Sequence, residues 1–371
     1  GALFLQLQPI LYTSEKSTFA DIRPWVQLSL NKNLLFVSDM QLNLSFEDTS
    51  IVDGKEWEGM RGMVNQSFIR WTNLNQKTHS IIFQAGRFYN QSGLGRQGQL
   101  LLGASSRPMD QLFFSIGRGI TPNLKATMYF QTSDLDILNS HKRFLSIHGL
   151  KFSSQHWYFA LNEALLYSRS TGGPDFVYLN PFLFYHLVQM NGPGLEGNTL
   201  GTFEFGYRWA SSRAYLEFLV DDIQVDNEVK GDLEPNELGI LTGYETTGIK
   251  YYFNAELVAI TNRTYKTPDR TEWFTHRDSP IGYHLGSDLM NLNVFSRYYF
   301  NAKWSIDMEM DYLLMGEGYL DKAWDSPWEA DDVTMETGYT ESFPTGIVEE
   351  TIGFKLTTHR KWSYERWISV G

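Results

Sequence analysis

The sequence predicts an all-β protein, a transmembrane antiparallel up-and-down β-barrel of about eighteen strands with short helical or plug segments in long external loops. Three observations predict it. Segments of roughly nine to thirteen residues alternate apolar and polar side chains, longer than soluble strands and suited to a tilted bilayer crossing. Short and long connections alternate along the chain. No run of about eighteen apolar residues exists, so no helix can span a membrane. A soluble sandwich would also alternate, with one face in a core and one in water. Opposite charges on the polar face and aromatics at strand ends (Trp209, Tyr298, Phe300, Trp304, Tyr312) favour the barrel.

Residues 202–209 set Thr202, Glu204, Gly206 and Arg208 against Phe203, Phe205, Tyr207 and Trp209. Residues 213–221 set Arg213, Tyr215, Glu217 and Asp221 against Leu216, Phe218 and Val220. A two-residue turn at Ser211-Ser212 aligns the faces, with Phe205 opposite Phe218 and Arg208 diagonal to Glu217. The same alternation recurs over 34–46, 249–257 and 303–312.

Seventeen strands are expected, at 2–12, 19–30, 34–46, 62–72, 79–86, 110–118, 124–132, 142–152, 156–167, 201–210, 213–222, 237–245, 248–261, 288–300, 303–315, 345–358 and 361–371. The connections at 31–33, 73–78, 119–123, 153–155, 211–212, 246–247, 301–302 and 359–360 are short. Those at 47–61, 87–109, 133–141, 168–200, 223–236, 262–287 and 316–344 are long. Long loops on one rim and tight turns on the other are the barrel pattern. Bacterial barrels have even strand numbers. Residues 1–371 are therefore read as a single barrel domain whose final strand is missing.

The chain has 43 acidic and 31 basic side chains, for a net charge of −12, which disfavours nucleic acid as a partner. It has no Cys, which removes disulfides, thiolate metal sites and Cys nucleophiles.

Several constellations invite chemical readings. Gly93, Gly95 and Gly98 fit G-x-G-x-x-G, but no parallel strand and helix frame them; the glycines are read as letting a long loop fold back. Asp221-Asp222 has no His neighbour in sequence, so a hydrolase site is disfavoured; Asp221 is expected to face the lumen and Asp222 the rim. A lipase would need a Ser–His pair, and no spacing singles out a serine beside His156 or His284. His276 and His284 share a loop with Asp278 and Asp288, without the regular structure that fixes metal geometry. No metal or cofactor is expected. Residues 316–345 interleave eight carboxylates with Tyr319, Trp324 and Trp328. With Trp273, Phe274 and Trp57 they are candidate glycan platforms, because exposed aromatics stack on sugars and carboxylates accept hydroxyl hydrogen bonds. Residues 181–190 read as a short helix capped by Asn180 and ended by Gly192. Its apolar ring (Phe182, Leu183, Phe184, Leu187, Val188) is expected to plug the barrel mouth.

An ordered set of motifs resembles the Wzi-like capsule assembly family of outer-membrane barrels. They are Gly86-Arg87, Gly93-Leu94-Gly95-Arg96, Leu100-Leu101-Leu102, Pro108-Met109-Asp110, Asn162-Glu163-Ala164, Tyr178-Leu179-Asn180-Pro181, Asn198, Asp221-Asp222, and residues 275–286 from Thr275-His276 to Leu285-Gly286. The resemblance implies an eighteen-stranded, non-enzymatic barrel in the Gram-negative outer membrane that holds capsular polysaccharide, with any N-terminal periplasmic segment of the family expected to be missing from residues 1–371. Arg87, Arg96, Glu163 and Asp222 match the family's polar positions. With Arg208, Glu217 and Asp221 they are expected to form a lumen network pinning the loop at 87–109. Strict alternation puts Glu163 toward lipid, so this expectation needs a bulge to turn it inward. The expected partners are lipid or lipopolysaccharide and surface polysaccharide, with the protein a monomer. The alternatives are a sugar- or cation-permeable channel and, less favoured, an outer-membrane hydrolase.

Overall fold

The computed structural model describes residues 1–13, 18–43, 56–57, 60–75, 79–189, 197–225, 228–363 and 366–370. An antiparallel sheet contains β1 (Ala2–Thr13), β2 (Thr18–Ser29), β3 (Leu34–Asn43), the stub β4 (Glu56–Trp57), β5 (Met60–Asn75), β6 (His79–Phe88), β7 (Met109–Thr121), β8 (Leu124–Leu138), β9 (His141–Ser153) and β10 (Trp157–Arg169). It continues, after helix α1 (Tyr185–Gln189), through β11 (Asn198–Trp209), β12 (Ser212–Asp222), β13 (Glu237–Thr247) and β14 (Tyr251–Ile260). A separate small hairpin, β15 (Thr275–His276) and β16 (Ser279–Pro280), interrupts it. β17 (Leu289–Tyr299), β18 (Trp304–Met315), β19 (Glu349–Ser363) and β20 (Arg366–Val370) complete the 18-stranded sheet. Apart from the stub, each strand pairs with its neighbours in chain order, the up-and-down topology of a transmembrane barrel. Among the described residues, β1 pairs with β2 and β20 with β19, and no ladder joins β1 to β20.

The wall is inside-out relative to a soluble protein. Leu161, Phe205, Ile240, Leu257, Met308 and Phe354 are exposed, while Glu204 and Glu217 on the opposite face are each 1% exposed. Only lipid outside and satisfied hydrogen bonds inside make that arrangement favourable. At the short-turn rim Tyr207 stacks on Trp209, which meets Tyr244 at a tilt, with centroids 5.9 and 6.0 Å apart, as a girdle at the lipid–water boundary.

Three local expectations fail for physical reasons. The β11–β12 turn is Ala210-Ser211, not Ser211-Ser212, with Ala210 at φ +46°. Phe205 therefore pairs with Leu216 and Phe203 with Phe218. A slip of two residues keeps every side chain on its own face, so alternation cannot detect it. The connection expected to be long at 133–141 is a two-residue turn. Asn139 and Ser140 both have positive φ, the geometry of a tight hairpin, and β8 and β9 stay paired up to Leu138 and His141 beside the turn. Finally, β19 continues through 359–360, and the connection to β20 falls on 364–365, outside the described residues.

Candidate functional site

The loop at 89–108 enters the barrel and descends through it. Inward carboxylates of the wall grip it by its backbone. Glu217 accepts from the N–H groups of Leu94, Gly95 (2.7 Å) and Leu100 (2.9 Å). Glu256 accepts from Arg96 N–H (2.7 Å) and Gln97 N–H (3.1 Å) and from the Tyr215 hydroxyl (2.7 Å). Glu204 accepts from the Ser92 hydroxyl, from Tyr158 and from Asn162. Such charge-assisted bonds contribute about 1.5–3 kcal/mol each. The glycines are required for this fit. A Cβ on Gly95 would lie 1.9 Å from the Gly98 carbonyl oxygen, and one on Gly98 2.6 Å from the Tyr283 ring. Backbone amides that could cradle a phosphate in another setting are thus satisfied by the protein's own glutamates.

Arg96 reaches Glu245 (2.7 Å), which also binds Arg213 (3.0 Å), so the loop tip comes close to the short-turn rim. Above it lies an apolar core inside the barrel. Leu100, Leu101 and Leu102 pack with Phe274, Ile281 and Tyr283 of a second loop, 261–288, against inward Leu219, Leu241, Val258 and Leu289. Tyr265 donates its hydroxyl to the Leu100 carbonyl at 2.6 Å, and Asp221 accepts the Tyr265 N–H.

The expected lumen network is thereby partly redrawn. Glu217 and Asp221 face inward and hold loops, and Arg96 pairs with Glu245. Arg208 lies at the short-turn rim opposite Arg213, not near Glu217. Asp222 is exposed at the rim, accepting from Gln224 (2.9 Å). Arg87 forms a two-bond pair with its cross-strand neighbour Asp110, on the outward face that carries Leu112 and Ile116. Glu163 also points outward, as alternation required, and no bulge occurs at it. It accepts from His148 (3.1 Å) and from the N–H groups of Tyr185 (2.8 Å) and His186 (2.9 Å) at the start of α1. The helix therefore lies on the outer wall rather than in the mouth. Phe182, Phe184 and Leu187 are exposed, and only part of the apolar ring is buried. Asn180 accepts from Phe182 N–H in a local turn (3.1 Å), and Gly192 lies outside the described residues.

The outer rim is built from two cross-linked loops, 261–288 and 316–345. Asp288, fully buried, accepts from Gly318 N–H (2.7 Å) and from the N–H (2.9 Å) and hydroxyl of Thr345. Arg263, 1% exposed, binds Glu341 (2.9 Å) and Asp325 (3.2 Å) and covers the Trp328 ring at 4.8 Å. Lys266 donates to the carbonyls of Gly318 and Tyr319. Burial pushes this ammonium down to about 8. The aromatic platform shrinks accordingly. Trp273, Phe274 and Trp328 are buried in the loops' own packing and offer no open face to a sugar. Tyr319 is 44% exposed and Trp324 half-buried. The side chain of Trp57 lies outside the described residues. Asp288 is fully engaged and Asp278 faces Arg270, so the His276–His284 loop has no ligand set; among the described residues no group of three or more His, Asp or Glu side chains could hold a metal ion.

Sequence reasoning missed Arg263 and the loop-holding role of Glu256, and it weighed Asp288 only as a metal ligand, not as the clamp between loops. Arg263 and Asp288 have positive φ (68° and 58°), and only their place in the folded loops reveals them. Glu256 was legible as inward-facing by alternation, but its loop partners were not.

His276 is buried, and burial first, then Arg277, Arg143 and Arg107, lowers it to about 4. A depressed folded value means that stability is full above the unfolded value near 6.5 and is lost as pH falls through about 4. Proteolytic resistance of the 261–288 loop is expected to decline over that window, by on the order of 3 kcal/mol. His276→Asn should flatten the decline. An equally steep profile in the variant would remove His276 as its cause.

A family model described as capsule assembly protein Wzi matches residues 63–347, more than half of the chain. Among solved structures, the chain is similar to Wzi of Escherichia coli, titled an outer-membrane protein involved in group 1 capsule assembly and a carbohydrate-binding β-barrel. The TM-score is 0.59 at 15% identity, covering 99% of this chain and 79% of that one. A Rhodopseudomonas blastica porin variant aligns with a TM-score of 0.38 at 8% identity, covering 84% of this chain and 94% of that one. No curated protein sequence matches. With its outward apolar belt, filled lumen and family match over most of its length, this outer-membrane barrel belongs to the Wzi capsule assembly family.

Proposed function

We propose that this chain binds or organises capsular or surface polysaccharide at the outer rim of its barrel, without catalysis. Its family membership carries the reading. The rim supports it. The cross-linked loops make a carboxylate-rich surface on which Tyr319 is exposed and Trp324 half-buried, and Arg270 and Arg277 are exposed on the 261–288 loop. Asp221 and Asp222, the strongest hydrolytic candidates, are bonded to a backbone N–H and to Gln224, and neither is bonded to a histidine among the described residues. The loop filling the lumen weighs against a diffusion channel. The protein acts as a single-domain monomer with lipid and polysaccharide as partners.

Titration of the purified barrel with polygalacturonate and with dextran, followed by calorimetry, tests this. Tyr319→Ala is expected to weaken binding roughly tenfold, about 1.4 kcal/mol, with Trp324→Ala similar. Deleting the gene should shift polysaccharide from the cell-bound to the shed fraction. Unaltered binding in both variants together with unaltered retention would sink the proposal.

A further inference from the structure

The segment 176–189 does not rise into water as an external loop would. It folds down over the outside of β9 and β10. Tyr178, Tyr185 and Val188 pack there with outward Phe144, Leu165 and Tyr167 in a core separate from the one inside the barrel. Glu163 and His148 lie beneath it, with Glu163 bonded to the N–H groups of Tyr185 and His186 in α1. Glu163 is six residues above Trp157 on β10. At a strand rise near 3.3 Å and a tilt near 40–45°, that is about 14 Å above the lower girdle, within an apolar band about 25 Å tall.

The outer surface of this segment is apolar. Phe176 is 87% exposed, Phe182 75%, Phe184 66% and Leu187 57%. In water these side chains would form an uncovered greasy patch. Here they continue the lipid-facing belt of Leu150 and Leu161 on the wall. Between segment and wall lies a cavity of about 540 Å³, lined by Met128, Leu150, Leu161, Phe182, Phe203 and Phe218. Its size falls in the range of small-molecule sites. Gly201 also lines it, and a Cβ there would meet nothing within 4 Å.

We propose that residues 176–189 form a foot that dips into the outer leaflet, and that the cavity beneath it holds one hydrocarbon chain of an outer-leaflet lipid. The occupant follows from position: the cavity is continuous with the membrane-facing belt, its lining is mostly apolar, with His148, Asn162, Glu163 and Thr202 the polar exceptions, and a flexible chain is what the adjoining solvent supplies. The polar pair His148–Glu163 anchors the foot to the wall and contributes to the lining of the cavity.

The chain has no native Cys, so single labels are clean. A nitroxide on Phe184→Cys, in vesicles of phosphatidylcholine and phosphatidylglycerol, should be accessible to oxygen and protected from a nickel chelate. A label on Glu336→Cys in the exposed outer loop should show the reverse. Equal nickel accessibility at both sites would overturn the foot. Native mass spectrometry of the barrel purified from those vesicles should show one retained lipid in the wild type. Gly201→Phe and Leu161→Trp, which fill the cavity from two sides, should each lose it while keeping the heat-modifiable migration of a folded barrel. Retention of the same lipid count by folded forms of both variants would overturn the chain-binding site.

Discussion

Glu217→Ala is expected to turn a closed barrel into a conducting one. The carboxylate holds three backbone N–H groups of the descending loop in a site that is 1% exposed. Without it those donors have no acceptor, at about 1–3 kcal/mol each. Glu204 lies directly opposite Glu217, and removing one of two facing carboxylates relieves up to about 1 kcal/mol of repulsion. The loss of acceptors wins, and the 92–100 turn is destabilised by roughly 2–9 kcal/mol. Single-channel recording in planar bilayers should show open events absent from the wild type, and hydrogen exchange should quicken at Leu94, Gly95 and Leu100. Glu217→Gln keeps an acceptor oxygen and should be intermediate. An alanine variant as silent and as protected as the wild type would mean that the loop is held by its apolar contacts alone.

Arg263→Ala should dismantle the outer rim. The guanidinium is buried, joins Glu341, Asp325 and the Trp328 ring, and donates to the Asp325 carbonyl. Truncating one member of a buried ion pair costs about 3–5 kcal/mol, since the partner charge is left uncompensated. Lys at this position cannot reproduce the fork, so Arg263→Lys should be nearly as damaging. Trp328 packs with Trp324 and Tyr339, so the expected signature is a red-shifted tryptophan emission and faster proteolysis within 316–345. The strands, to which Arg263 shows no side-chain hydrogen bond or ion pair among the described residues, should keep their thermal transition. A wild-type emission spectrum would show that the loop stands without this residue.

The strand pattern was legible because its cause is simple. Each wall residue faces either lipid or lumen, and parity reports which, as at Phe203 against Glu204 and Ile306 against Asp307. What lies beyond each face was not legible. Trp273 and Trp328 look like open platforms in sequence, yet long loops have room to bury their own aromatics. Glu163 is instructive in the other direction. Alternation placed it outward, family likeness argued for inward, and the structure keeps it outward by laying α1 across it. A polar side chain toward lipid needs cover, and the cover came from a loop twenty-odd residues further along the chain. One signal went unread: at Leu257, Val258, Ala259 and Ile260 alternation lapses into a continuous apolar run. That is the mark of a strand covered on both sides, here by bilayer and by the inserted loops.

That two-sided stretch bears on biogenesis. The inward wall around Leu219, Leu241, Val258 and Leu289 is water-repellent until the inserted loops dock, so a wall assembled ahead of them would enclose an unwetted, unstable void. Strand insertion and loop entry must therefore proceed together, and any factor that delays one stalls the other.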